Sequence, residues 1–205
     1  LASALLSSTE RMKLLVAIHP GLVAPTLLAK MAATLQEFSR GRLLINIVSG
    51  DAKMLGAYGM TMPHDERYDI ADEYLQIWHR LFAVETVTHQ GRYFKTDGAR
   101  LALPVGETIA PPPLWFGGSS DKALDVAARH VDTYLSWGET PEQIKEKVDA
   151  VKARADRYGR KLEYGIRLYV IVRDTDAKAW EAAADLYDRM DDTAIAANQR
   201  FVGRS

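Results

Sequence analysis

The sequence predicts an α/β protein, a β/α (TIM-type) barrel present as about five of its eight strand-helix units, and three observations carry that expectation. Short apolar runs alternate five times with amphipathic stretches along the 205 residues. The runs are apolar at successive positions, as in a parallel sheet covered on both faces. Polar and small residues of the kind that bind ligands, His19, Ser49, Gly117, Gly118, Ser119, Ser120 and the aromatic Trp137, fall at the C-terminal ends of those runs, where a β/α barrel carries its chemistry. A doubly wound sheet would announce a dinucleotide site by GxGxxG after its first strand, and no such spacing exists. Residues 1–205 are therefore expected to form a single incomplete barrel domain.

Taken in order, residues 1–12 lack a basic leader and a starting methionine, so no signal peptide is expected and the chain reads as beginning inside a helix. Residues 12–18 are an apolar strand ended by His19, Pro20 and Gly21. Pro25 opens a helix with Leu28, Met31, Leu35 and Phe38 as its inward stripe, closed by Ser39, Arg40 and Gly41. Residues 43–48 are a second buried strand, ended by Ser49, Gly50 and Asp51. The connection 52–65 is too long for a plain strand-to-helix turn, which makes it a candidate wall of an active site. The next helix spans about 67–82, with Ile70, Tyr74, Ile77 and Leu81 on one stripe and Asp72, Glu73 and Arg80 on the exposed face. Residues 86–104 alternate about Gln90 and Gly91, the pattern of an inserted surface hairpin.

Residues 113–137 read as a strand, a Gly-Gly-Ser-Ser turn, an amphipathic helix and a second strand ending on Trp137. Thr140, Pro141, Glu142 and Gln143 are a capping box that opens a helix with Ile144, Val148, Val151 and Ala155 inward, ended by Gly159. Residues 164–172 read as the longest strand, and a final helix starting near 174–176 carries Trp180, Ala183, Ala184 and Tyr187.

Lys plus Arg (26) balance Asp plus Glu (27), so a net charge of −1 gives no electrostatic case for nucleic acid or for an anionic membrane surface. The absence of cysteine excludes disulfides, thiolate metal sites and a cysteine nucleophile, and it fits a reducing, cytoplasmic setting. The histidines show no HxH or HExxH spacing, no GxSxG marks a serine nucleophile, and a metal site is not expected.

The remaining candidates come from position. In the 117–120 turn the glycines permit close backbone approach, and Ser119 and Ser120 cap a helix start; this is either a phosphate cradle or a plain capped turn. Alternation in GIRLYVIVR sends Arg167 and Tyr169 to the face opposite Ile166 and Leu168, where a guanidinium needs an anion or a carboxylate. Tyr169 is either a hydrogen-bond donor to a ligand or a packed core phenol, and Trp137 either walls a dry pocket or packs in the core. Asn46, inside an apolar strand, needs a ligand or neighbouring backbone as partner. His19, at a strand end, is a candidate for catalysis or ligand binding.

As a set, TERMKLLVAIHPG, SRGRLLINIVSGD, HDERYDIADEY, PPPLWFGGSSDKAL, YLSWGE and GIRLYVIVRDTD resemble the bacterial-luciferase-like FMN-dependent monooxygenases, most of all the alkanesulfonate monooxygenases of two-component systems. The resemblance implies a β/α barrel that takes reduced FMN from a separate NAD(P)H-dependent flavin reductase, reacts with O2 and cleaves the C–S bond of a small sulfonate to sulfite and an aldehyde. It implies that Tyr68, Gly118, Ser119 and Ser120 hold the FMN phosphate, that Asn46, Val48 and Ser49 lie along the flavin, and that Trp137 and Arg167 line the substrate site. A homo-oligomer is expected, as is a poorly ordered lid segment at 200–205. The alkanesulfonate members carry histidine where this chain has Tyr169 and arginine where it has His19. The alternatives are a luciferase-like flavin or deazaflavin reaction on a sulfone or a non-sulfur compound, and a non-catalytic barrel fragment.

Overall fold

The computed structural model describes residues 1–49, 52–102, 109–193 and 195–196. In chain order the strands are β1 (Leu14–Ile18), β2 (Leu43–Ile47), β3 (Val87–Gln90), β4 (Lys95–Ala99), β5 (Leu114–Phe116), β6 (Thr133–Trp137) and β7 (Glu163–Arg167). The helices are α1 (Ala2–Ser8), α2 (Pro25–Phe38), α3 (Ala52–Ala57), α4 (His64–Phe82), α5 (Asp121–His130), α6 (Pro141–Arg157) and α7 (Asp176–Asp188). Five strands form one parallel sheet in the order β1-β2-β5-β6-β7, while β3 and β4 pair as a separate antiparallel hairpin. Each strand joins beside its predecessor in the sheet, with helices in the crossovers, which is the expected partial β/α barrel.

Register divides the strand residues between two faces. Ile18, Ile47, Phe116 and Tyr134 are aligned across four strands and are 9%, 1%, 0% and 1% exposed, so this row packs under the helices. The adjacent row, Ala17, Asn46, Trp115 and Thr133, points to the opposite side. Four residues beyond Thr133 along β6, Trp137 is aligned with Arg167 on that same opposite side.

The most heavily buried helix is α4, which packs against α2, α5 and β3. It follows Pro63, carries Asp65 and Glu66 in its first turn and His79 and Arg80 in its last, as the helix dipole favours, and buries Ile70, Tyr74, Leu75, Ile77, Trp78 and Leu81. Two of its carboxylates, placed on the exposed face by the sequence reading, are instead engaged. Asp72 accepts from His130 Nε2 and Arg129 Nη1, both at 2.8 Å, and so ties α4 to α5. Glu73 accepts from the backbone N–H groups of Arg92, Tyr93 and Phe94 and from His89 Nε2, clasping the turn of the hairpin to α4. A Cβ on Gly91 would stand 1.9 Å from Glu73 Oε1 and 2.4 Å from His89 Nε2, so a side chain there would displace the clasp.

Three other expectations are corrected. In α2 the buried residues are Ala29, Ala32, Ala33 and Gln36, whereas Met31 and Phe38 are 52% and 60% exposed; small side chains on the inward face let the helix lie close to its neighbours. The connection 52–65 holds the short helix α3 and the first turn of α4 rather than an unbroken loop. The seventh strand stops at Arg167, because no partner continues beside 168–172, and that apolar stretch is exposed at every position. The capping box at Thr140 and the Gly159 terminus, at φ +64°, are as expected. The 200–205 segment lies outside the described residues.

Burial alone would raise the Glu73 carboxyl, but the amides of Phe94 and Tyr93 and the His89 ring hold it below its ordinary 4.5. A carboxyl depressed in the folded state stabilises above its unfolded pKa and loses that contribution as pH falls through the folded value. Glu73→Ala is expected to lower stability at pH 7 by about 2–4 kcal/mol. Its urea midpoint should also decline less steeply than that of the unaltered protein as pH falls below about 4.5.

Candidate active site

The C-terminal ends of the strands bring together most of the residues singled out by sequence. At the end of β1 the His19 ring, half-buried, makes a 2.9 Å hydrogen bond through Nδ1 to the Val48 carbonyl just past β2. A carbonyl only accepts, so Nδ1 carries a proton and donates it, and Nε2 is the ring nitrogen not used in this bond. The Val48 N–H in turn donates to Ile18 O at 2.9 Å, which extends the sheet ladder by one bond. Ser49 follows, and its carbonyl accepts at 3.4 Å from Arg67 Nη1 of α4.

The first turns of α4 also deliver Tyr68. Its ring is 6% exposed and packs edge-on against Phe116 with centroids 6.2 Å apart. Its hydroxyl lies 3.7 Å from the position a Cβ would take on Gly118. Tyr68 therefore meets the turn after β5, although about fifty positions separate them in sequence. The turn itself is tight on both sides. A Cβ on Gly117 would be 2.5 Å from the Leu135 carbonyl, and one on Gly118 would be 2.6 Å from Ala123 Cβ. Ser120 caps α5, its Oγ accepting from Ala123 N–H at 3.3 Å, and Tyr134 donates to Gly118 O at 2.8 Å. The result is a helix N-terminus with Ser119 and Ser120 half-buried before it and a phenol at its side.

On the far side of the sheet, the Arg167 guanidinium lies 4.8 Å over the ring of Trp137, which is 46% exposed. Among the described residues no carboxylate pairs with Arg167. Asn46 is half-buried on the same face, two strands from Trp137 and three from Arg167. Tyr169 is the exception: it lies past the end of β7 and is 93% exposed, so alternation did not bring it to the Arg167 face.

Two residues of this region were missed by sequence reasoning. Arg67 is 9% exposed at the start of a helix, where the dipole disfavours a cation, and that unfavourable placement was the available signal. Trp115 sits beside Asn46 in register, its ring 3.3 Å from where a Cβ would stand on Gly165. Its place in a run read simply as apolar concealed that it faces away from the helices. A recess between α4 and the hairpin is lined by Asp69, Asp72, Glu73 and His89, but these groups are spent on ion pairs and backbone amides and lie away from the strand ends. Among the described residues no group of His, Asp or Glu could hold a metal, and no helix is long and apolar enough to cross a membrane.

Comparison with known proteins bears on the family and the fold. The family model described as luciferase-like monooxygenase matches residues 1–204. A long-chain alkane monooxygenase is 27% identical, with a TM-score of 0.75 over 88% of this chain and 48% of its own. DmoA from Hyphomicrobium sulfonivorans is 26% identical, with a TM-score of 0.75 over 91% of this chain and 45% of its own. The EDTA monooxygenase of Chelativorans sp. BNC1, at 22% identity, shares the fold with a TM-score of 0.78 over all of this chain and 52% of its own. The chain thus spans about half the length of these structures.

The two faces of the 117–120 turn leave no room for a methyl group. Gly117→Ala is expected to cost about 1–3 kcal/mol, because its Cβ meets backbone rather than a movable side chain. Gly56→Ala, in α3 with nothing within 4 Å, should instead be neutral or stabilising by up to about 1 kcal/mol. Thermal melts of the two variants side by side check the contrast.

Proposed function

The chain belongs to the luciferase-like monooxygenase family, and from that premise we propose that it is the oxygenase component of a two-component system acting on an alkanesulfonate. In the proposed reaction the C–S bond of the sulfonate is cleaved; one atom of O2 becomes the aldehyde oxygen, the other leaves as water, sulfite is released, and reduced FMN would supply two electrons and end as oxidised FMN. The observation that carries the substrate class is Arg167, whose guanidinium carbon lies 4.8 Å from the centroid of the Trp137 ring and which pairs with no carboxylate among the described residues. A sulfonate stays anionic at physiological pH and therefore needs a fixed cation. A planar guanidinium can fork onto two sulfonate oxygens at once.

The residues present fit reduced FMN. A phosphate needs clustered donors: the amides and hydroxyls of Ser119 and Ser120 stand at the start of α5 with the Tyr68 phenol beside the turn, while the Arg67 guanidinium lies against the Ser49 carbonyl at the end of β2. Asn46, Val48 and Ser49 would lie along the ring system. Bound reduced FMN would supply the electrons that activate O2. On this reading Trp137 and Arg167 would form one side of the substrate site, and His19 Nε2, the ring nitrogen not bonded to Val48 O, would accept a proton at the end of β1. The reduced flavin would come from a separate NAD(P)H-dependent reductase, and the working form would be a homo-oligomer.

Reconstitution with a flavin reductase, NADH and short alkanesulfonates is expected to release sulfite. Flavin oxidation without sulfite across the series would remove the sulfonate reading while leaving the family chemistry in place. Arg167→Ala should lower kcat/KM for the sulfonate by about 10- to 100-fold, as for loss of a charged hydrogen bond. Because Arg167 is exposed, its melting temperature should stay within a degree or two, roughly as for other surface substitutions.

A further inference from the structure

The turn that meets Tyr68 has a support of its own beneath it. Tyr134 is 1% exposed, stands in register with Phe116, and donates its phenolic hydrogen to the Gly118 carbonyl at 2.8 Å. Burial pushes its pKa up to about 12, so the phenol keeps its proton at any working pH. The bond acts on a residue that has no side chain to orient it. Gly118 has wide freedom in φ and ψ, and its Cα is packed against the first turn of α5, near Ala123.

No peptide in the described chain is cis, so the carbonyl of Gly118 and the N–H of Ser119 lie on opposite edges of one plane. Drawing the carbonyl toward the Tyr134 hydroxyl therefore turns the Ser119 N–H the opposite way. Among the described residues that N–H donates to no group of the chain.

We propose that Tyr134 is a positioning residue for phosphate recognition: its hydroxyl fixes the Gly118–Ser119 peptide plane, so that the Ser119 N–H stands as an oriented donor to the flavin phosphate. Tyr134 does not touch the ligand. It acts through one peptide, by removing a rotation the empty turn would otherwise have to give up on binding. The inference rests on the FMN reading of the site.

Reduced FMN and reduced riboflavin share a ring system and differ in the phosphate. Anaerobic titration of both, with the protein and with Tyr134→Phe, separates the possibilities. The expected result is a Kd for reduced FMN raised about 5- to 10-fold in the variant, with that for riboflavin unchanged. An unchanged preference for FMN over riboflavin in Tyr134→Phe would overturn the proposal. A parallel loss of affinity for both flavins would overturn it as well, since that is the mark of a packing role. If the unaltered protein shows no preference for FMN, the FMN reading itself falls, and this inference with it.

Discussion

Burial of one face of α4 is the constraint on which the rest of the structure depends. Ile70, Tyr74, Leu75, Ile77, Trp78 and Leu81 are each 2% exposed or less, and side chains of this size stabilise by about 1.5–3 kcal/mol apiece when taken from water. That face fixes the helix against α2 and α5. Its first turns then have no freedom in where they carry Arg67 and Tyr68, and these arrive at the ends of β2 and β5. The polar face is held by different means. Asp72 binds α5 through His130 and Arg129, and Glu73 binds the hairpin, so the same helix clasps a neighbour on either flank. Burial alone would raise the Asp72 carboxyl, yet the His130 hydrogen bond and the charges of His130 and Arg129 hold it below the usual carboxylate range.

Strand register supplies the complementary constraint. Once Ile47, Phe116 and Tyr134 are committed to the helix layer, the pleat obliges Asn46, Trp115 and Trp137 to face the other way. The consequence at the 117–120 turn follows from both. Tyr134, on the helix side of β6, donates to the Gly118 carbonyl, and Tyr68, from α4, brings its hydroxyl beside the same glycine. Gly118 thereby meets two phenols carried on rigid elements, the Tyr134 hydroxyl on its carbonyl and the Tyr68 hydroxyl beside its Cα.

Much of this was legible in the sequence. Alternation of strands and helices, the cap at Thr140, the stop at Gly159 and the grouping of candidate residues at strand ends all depend on local chemistry, and the structure keeps them. What was not legible depends on partners. Residues 168–172 have every intrinsic preference for a strand, yet without a neighbouring ladder they are exposed and Tyr169 is carried away from Arg167. In α2, hydrophobic size pointed to Met31 and Phe38, whereas close approach selected the alanines. Asp72 and Glu73 read as solvated charges because their partners, His130 and the hairpin amides, lie far along the chain. Arg67 and Tyr134 stayed hidden for the same reason: each owes its place to a backbone carbonyl supplied by another element.

The two ends of the proposed site are supported unequally, and that bears on how such a site can change. Tyr68, Gly117, Gly118 and Tyr134 are wedged among buried groups, so most substitutions there carry a cost in stability before any effect on ligand. Trp137 and Arg167 are exposed and touch each other through one cation–π contact, worth about 0.5–1 kcal/mol at such a position. Replacing either alters the charge and shape offered to a substrate at little cost to the fold. On the proposed reading, the cofactor end is thus held by the core, whereas the substrate end is free to vary, and a change of substrate need not disturb the flavin. The stability of the barrel would then constrain which cofactor is used much more strongly than which compound is oxidised.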